Sequence, residues 1–104
     1  MTDVYEENKL FLKISFTGSN LEKGEYEFCK AVDLTEGDLT ESIFDNCDLM
    51  NAHFERTILR MADLRTAHNF SIDPETNNIK KAKFALSQLH GLLNKYQIDI
   101  DELI

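Results

Sequence analysis

A large apolar residue recurs every fifth position through the middle of the chain: Leu34, Leu39, Phe44, Leu49, Phe54, Leu59 and Leu64. Few backbones can use that spacing. In an α-helix a step of five rotates about 140°, so the residues scatter round the axis and form no stripe. In a strand the side-chain period is two, so an odd step throws successive residues onto opposite faces. The spacing fits a chain that turns a corner every five residues and points each large side chain at one axis. A fixed internal period of this kind is the mark of a solenoid.

A second regularity runs alongside. Two places before each centre stand Val32, Gly37, Ser42, Cys47, Ala52, Thr57 and Ala62, all small or medium and none charged. Residues beside an inward corner must be small if the coil is to close at interior density. The position just before the centre is often Asp (Asp33, Asp38, Asp48, Asp63), and the two after it are mostly polar. The pentads "ADLRT", "CDLMN" and "GDLTE" carry the pattern most clearly. With these residues the chain resembles the pentapeptide-repeat proteins. That resemblance implies an all-β solenoid, a right-handed quadrilateral β-helix with four pentads per coil and the seven centres in its core. It covers Val32 to Ala67 closely, while "SIFDN" and "TILRM" depart from the motif at Ile43 and Ile58.

At 104 residues the chain is read as one domain, 1–104. Residues 1–30 form an N-terminal cap with early pentads, 31–67 the regular repeats, and 68–104 a turn, a capping helix and a short strand. An earlier frame of five steps through Phe11, Phe16, Leu21 and Tyr26, but Tyr26 to Leu34 is eight residues. Either "EFCKAVD" bulges to reset the phase, or coils are missing relative to longer relatives. After Ala67, "NFSIDPETNN" reads as a turn, and "IKKAKFAL" as an irregular rung. Leu86, Leu89, Leu92, Leu93 and Tyr96 then recur at helical spacing and predict an amphipathic α-helix despite Gly91. "QIDID" alternates like a strand. The tail from Phe70 to Ile100 also resembles the C-terminal cap of Qnr-type quinolone-resistance proteins. There a terminal helix covers the last coil and pairs two subunits. The resemblance implies a homodimer through Leu89, Leu92, Leu93 and Tyr96.

The formal charge of −8 is concentrated in the repeats, where eight acids face three arginines between Ala31 and Thr66. Such a field repels nucleic acid and attracts basic grooves. The outward acids Asp38, Glu41, Asp45, Asp48 and Glu55 are the candidate contacts for a partner. No apolar run is long enough to span a membrane, and the N-terminus lacks a signal peptide's basic and apolar segments. A cytoplasmic, bacterial protein with reduced thiols is expected. Cys47 sits at an inward position, and Cys29 falls at the same position of the earlier frame. His53 and His68 are three pentads apart, and so on different faces of a four-sided coil. His90 lies in the helix. No cofactor, metal site or catalytic constellation is expected, and the chain is read as non-enzymatic. Two functions fit: a structural or protein-interaction module, or, as the resemblance to Qnr-type proteins implies, an acidic DNA mimic that occupies the DNA groove of a type II topoisomerase such as gyrase and affects quinolone susceptibility.

Overall fold

A computed structural model describes residues 5–6, 9–10, 18, 20–26 and 32–101. Phe11, Phe16 and Cys29, singled out above, lie outside the described residues. Near the N-terminus β1 (Tyr5–Glu6) and β2 (Lys9–Leu10) pair antiparallel, Tyr5 opposite Leu10. The remaining strands, β3 (Glu25–Tyr26), β4 (Ile43–Phe44), β5 (Asp63–Leu64) and β6 (Lys83–Phe84), form a parallel sheet in chain order. Each is two residues long because the chain turns away at once.

The pairing partners measure the circuit. Ile43 lies opposite Asp63 and Asp63 opposite Lys83, each twenty residues on. Three further sides carry bridges at the same separation: Asp33 to His53, Asp38 to Ile58 to Asn78, and Asp48 to His68. Twenty residues and four sides leave five residues to a side. Asn78, Lys83 and Phe84 carry the ladders beyond Ala67, so the segment after the regular pentads supplies a further rung.

The phase break is absorbed by a short circuit. Asn20 pairs with Asp38, Glu25 with Ile43 and Tyr26 with Phe44, a separation of eighteen in each case. Leaving out two residues between Tyr26 and Leu34 keeps both frames on the same sides of the coil.

Burial follows the period. Leu34, Leu39, Phe44, Leu49, Leu59 and Leu64 are fully buried, and Phe54 is 7% exposed. Between them Val32, Ser42, Cys47, Thr57 and Ala62 are buried as well. The two hydroxyls in that set find backbone acceptors: Ser42 donates to the Leu39 carbonyl at 2.7 Å and Thr57 to that of Leu34 at 2.8 Å. Buried donors of this kind must be satisfied.

Corners are made by hydrogen-bonded turns. The amide of Gly37 donates to the Leu34 carbonyl at 2.9 Å, and those of Ser42, Ala52 and Ala62 to Leu39, Leu49 and Leu59. The third residue of such turns has positive φ: Glu36 (60°), Glu41 (62°), Asn51 (64°) and Met61 (59°). That is a type II turn, which favours Gly or Asn there. A glutamate or methionine in the left-handed region carries a local penalty that the circuit's fixed geometry overrides.

Aspartate before the centre also has a use at the corner. Its carboxylate accepts the amide two residues on: Thr35 to Asp33 at 3.0 Å, Thr40 to Asp38 at 3.1 Å, Met50 to Asp48 at 3.1 Å and Arg65 to Asp63 at 3.1 Å. Asn20 and Asn78 do the same for Glu22 and Lys80. This is the Asx turn, and it caps an amide that faces outward with no neighbour in the ladder.

The C-terminal stripe departs from the expected α-helix. Leu86–Leu92 (η1) and Asn94–Tyr96 (η2) are 3-10 turns. The Gln88, Leu93 and Tyr96 amides bond to Ala85, His90 and Leu93, three residues back. One cause lies in the packing. The Gly91 carbonyl, which an α-helix would give to Lys95, accepts instead from the Ile72 amide at 2.9 Å. The alternating "QIDID" forms no strand. Gln97 takes a left-handed φ of 53°, and Ile98 and Ile100 are 55% and 49% exposed.

Candidate interaction surfaces

The candidate acids are spread round all four sides. Asp38 lies on the ladder with Ile58 and Asn78, Glu41 at the following corner, and Asp48 on the ladder with His68. Asp45 follows β4, and Glu55 the Asp33–His53 side. Several are committed within the chain. Asp38 receives both the amide and the hydroxyl of Thr40, the latter at 2.6 Å, and that hydroxyl is the main reason its pKa is lowered. Asp48 accepts from Met50 and, at 3.1 Å, from the Asn69 side chain. Glu41 is 3.6 Å from Lys23, and Glu55 is 3.7 Å from Arg56. Asp63, absent from that set, is held by Arg65 in a two-point bond at 3.0 and 2.8 Å, which brings its pKa down to about 2.

The C-terminal end is assembled from single contacts. Phe70 and Phe84 pack with ring centroids 5.5 Å apart. Gly91 sits against Phe70 so closely that a Cβ there would overlap the ring and fall 2.5 Å from the Phe70 carbonyl oxygen. A glycine inside an apolar stripe is the one signal of this contact in the sequence. Lys95 reaches Asp73 at 3.1 Å and Glu75 at 2.9 Å, and the Tyr96 hydroxyl donates to Glu75 at 2.9 Å. This clamp ties η2 to the 73–75 turn. Glu75 is pushed below the usual carboxylate range, first by the Lys95 bond, and Lys95 is pushed up, first by Glu75.

The stripe therefore divides. Leu92 packs against the core, and Tyr96 is spent on the clamp. Leu89 and Leu93 line an open groove of about 790 Å³ with Leu86, His90, Ile98 and Ile100. Leu86 is 84% exposed. Leu86, Ile98 and Ile100 are not among the interface candidates read from the sequence, because an α-helix followed by a strand would not bring them together.

Among the described residues no three His, Cys, Asp or Glu side chains converge as a metal site would need. Cys47 is fully buried. No described helix is long and apolar enough to cross a membrane.

Residues 29–68 match the family profile of pentapeptide repeats in eight copies. That stretch, under half of the chain, is a pentapeptide-repeat segment. No curated protein matches it. Among solved structures it is similar to a trypsin-treated variant of QnrB1, a plasmid-mediated fluoroquinolone resistance protein. Identity is 13% over 96% of this chain and 94% of that one, with a TM-score of 0.27. A superposition that loose decides nothing about this chain.

Proposed function

We propose that the protein is a non-enzymatic interaction module: a right-handed quadrilateral β-helix of pentapeptide repeats whose C-terminal end pairs with a second copy. The ladders at twenty-residue separation support the β-helix. The observation that carries the pairing is the apolar groove at the end of the coil, with Leu86, Ile98 and Ile100 largely exposed beside Leu89 and Leu93. Apolar side chains gathered at one end mark an interaction site, and an isologous contact buries the same patch on both subunits. Sedimentation equilibrium at micromolar concentration tests it. A dimer is expected, and Leu93→Asp should split it by placing an unpaired charge in the interface. A wild-type chain that stays monomeric throughout overturns the pairing.

A second reading rests on the charge of −8: an acidic DNA mimic that enters the basic DNA groove of a type II topoisomerase such as gyrase. Inhibition of gyrase supercoiling that fades as salt screens the contacts supports it. Reversing Glu41, Asp45 and Glu55 to Lys together should abolish the effect while sparing the Asp38 and Asp48 turn caps. No effect at tens of micromolar protein in low salt leaves the interaction module alone.

A further inference from the structure

One side of the coil changes charge from end to end. The residues on its ladder and following corner are Asn20, Glu22 and Lys23, then Asp38, Thr40 and Glu41, then Ile58, Arg60 and Met61, then Asn78, Lys80 and Lys81. The first two rungs hold Glu22, Asp38 and Glu41 against Lys23. The last two hold Arg60, Lys80 and Lys81 and no acid.

Both halves are left unbalanced within one chain. Among the described side chains Lys23, Arg56, Arg65 and Lys95 each have a carboxylate partner. Arg60, Lys80 and Lys81 have none. At the other end the carboxyls of Glu22 and Asp38 crowd each other, and their contact holds the Glu22 pKa above its usual value. Crowded carboxylates and unpaired cations thus occupy opposite ends of one rigid column. Such a column is complementary to itself when turned end for end.

We propose that this side is a second interface between copies of the chain, lying antiparallel about a two-fold axis. Arg60, Lys80 and Lys81 of each copy then meet Glu22, Asp38 and Glu41 of the other. The contact is isologous. Ile58, 37% exposed on the same ladder, adds an apolar contact near the middle. This interface is separate from the C-terminal groove, and two different two-fold contacts on one chain build assemblies larger than a dimer. Exposed charge pairs are individually weak and screened by salt, so pairing here depends on several charges acting together.

A charge swap tests it on the full chain. One variant carries Lys80→Glu with Lys81→Glu, making the column mostly acidic, with Lys23 and Arg60 its remaining cations. The other carries Glu22→Lys with Glu41→Lys, making it mostly basic. With different fluorophores at the N-terminus, each variant alone should show weaker energy transfer than wild type at low salt, since only the C-terminal groove is left to pair it. The mixture should regain wild-type energy transfer and lose it at about 0.5 M salt. Pairing through the cap alone ignores these charges and would give equal transfer for each variant and the mixture. That result, or no association of the mixture, overturns the proposal whatever the groove does. The single changes Lys80→Glu and Glu22→Lys give a milder form of the same readout should either double variant fold poorly by circular dichroism.

Discussion

The coil between Val32 and Leu64 and the cap between Phe70 and Tyr96 are built on opposite terms. In the coil every decision is repeated. A buried centre, a small inward neighbour and a left-handed corner recur each five residues, often with a capping carboxylate, and the next circuit repeats them. In the cap each contact occurs once: Phe70 on Gly91, Phe70 on Phe84, Lys95 on Asp73 and Glu75. Repetition makes the first region redundant in local signal and shared in stability, since each repeat leans on its neighbours. The second stands or falls on single side chains.

The largest expected effect breaks the coil. Phe54 is almost fully buried between circuits, so Phe54→Ala should cost about 3–5 kcal/mol. In a domain of this size that approaches the whole margin of stability. Denaturant unfolding should show one cooperative loss, with the cap melting together with the coil. A cap that keeps its structure after the coil melts would deny that it depends on the rung beneath it.

Gly91→Ala should act the other way. The added methyl meets a ring and a backbone carbonyl, and only the ring can move. Overpacking of this kind costs about 1–3 kcal/mol. Amide exchange at Ile72 and Leu93 should quicken, while that at Leu39 and Ile58 stays slow. Uniform quickening would mean that the two regions are one cooperative unit.

Acid should weaken both regions over one window. Asp38, Asp63, Asp73 and Glu75 all have lowered folded pKa values. A lowered pKa adds stability that is present above the unfolded value near 4 and is lost as pH falls through the folded one. For Asp63 the loss therefore runs from about pH 4 down to about 2. Glu22 has the reverse sign, because its pKa is raised by Asp38. Its ionisation opposes folding, so Glu22→Gln should raise the melting temperature slightly at pH 7 and not at pH 3. Salt separates the regions: the exposed Lys95 clamp should weaken with it, while the buried Ser42 and Thr57 bonds should not.

The smallest effect is a gain. Met61 holds φ at 59° where a type II turn prefers Gly or Asn. Met61→Asn should stabilise by up to about 1 kcal/mol. A loss instead would show that the Met61 side chain packs usefully at that corner.

This contrast also explains what the sequence can tell. The period from Leu34 to Leu64 lies openly in the residues, because an inward corner every five positions admits little else. The break between Tyr26 and Leu34 is visible as eight residues, but pairing at eighteen shows only once partners are known. Aspartate before four of the seven centres is plain in the sequence without its reason, since capping needs the turn. The left-handed φ of Glu36, Glu41 and Met61 runs against their local preference, so composition gives no warning. At the cap, helical spacing and the "QIDID" alternation report local tendency alone. The Ile72–Gly91 bond and the Phe70 contact come from another part of the chain and overrule it. The candidate acids are chosen as outward charges; Glu41, Asp45 and Glu55 are exposed while Asp38 and Asp48 are half-buried. The amides that occupy Asp38 and Asp48 come from their own turns, and the Glu41 pair with Lys23 depends on which rung lies next door.

The twenty-residue circuit is tested most directly by cross-strand proton contacts in solution. Nuclear Overhauser contacts should link the backbones of Asp33 with His53, Asp38 with Ile58, Ile43 with Asp63 and Asp48 with His68. Below Leu34 the separation should drop to eighteen, with Asn20 against Asp38 and Tyr26 against Phe44. Cross-strand contacts at any other separation through the repeats, or a continuous run of helical contacts between residues four apart, would contradict the fold from which every surface above is built.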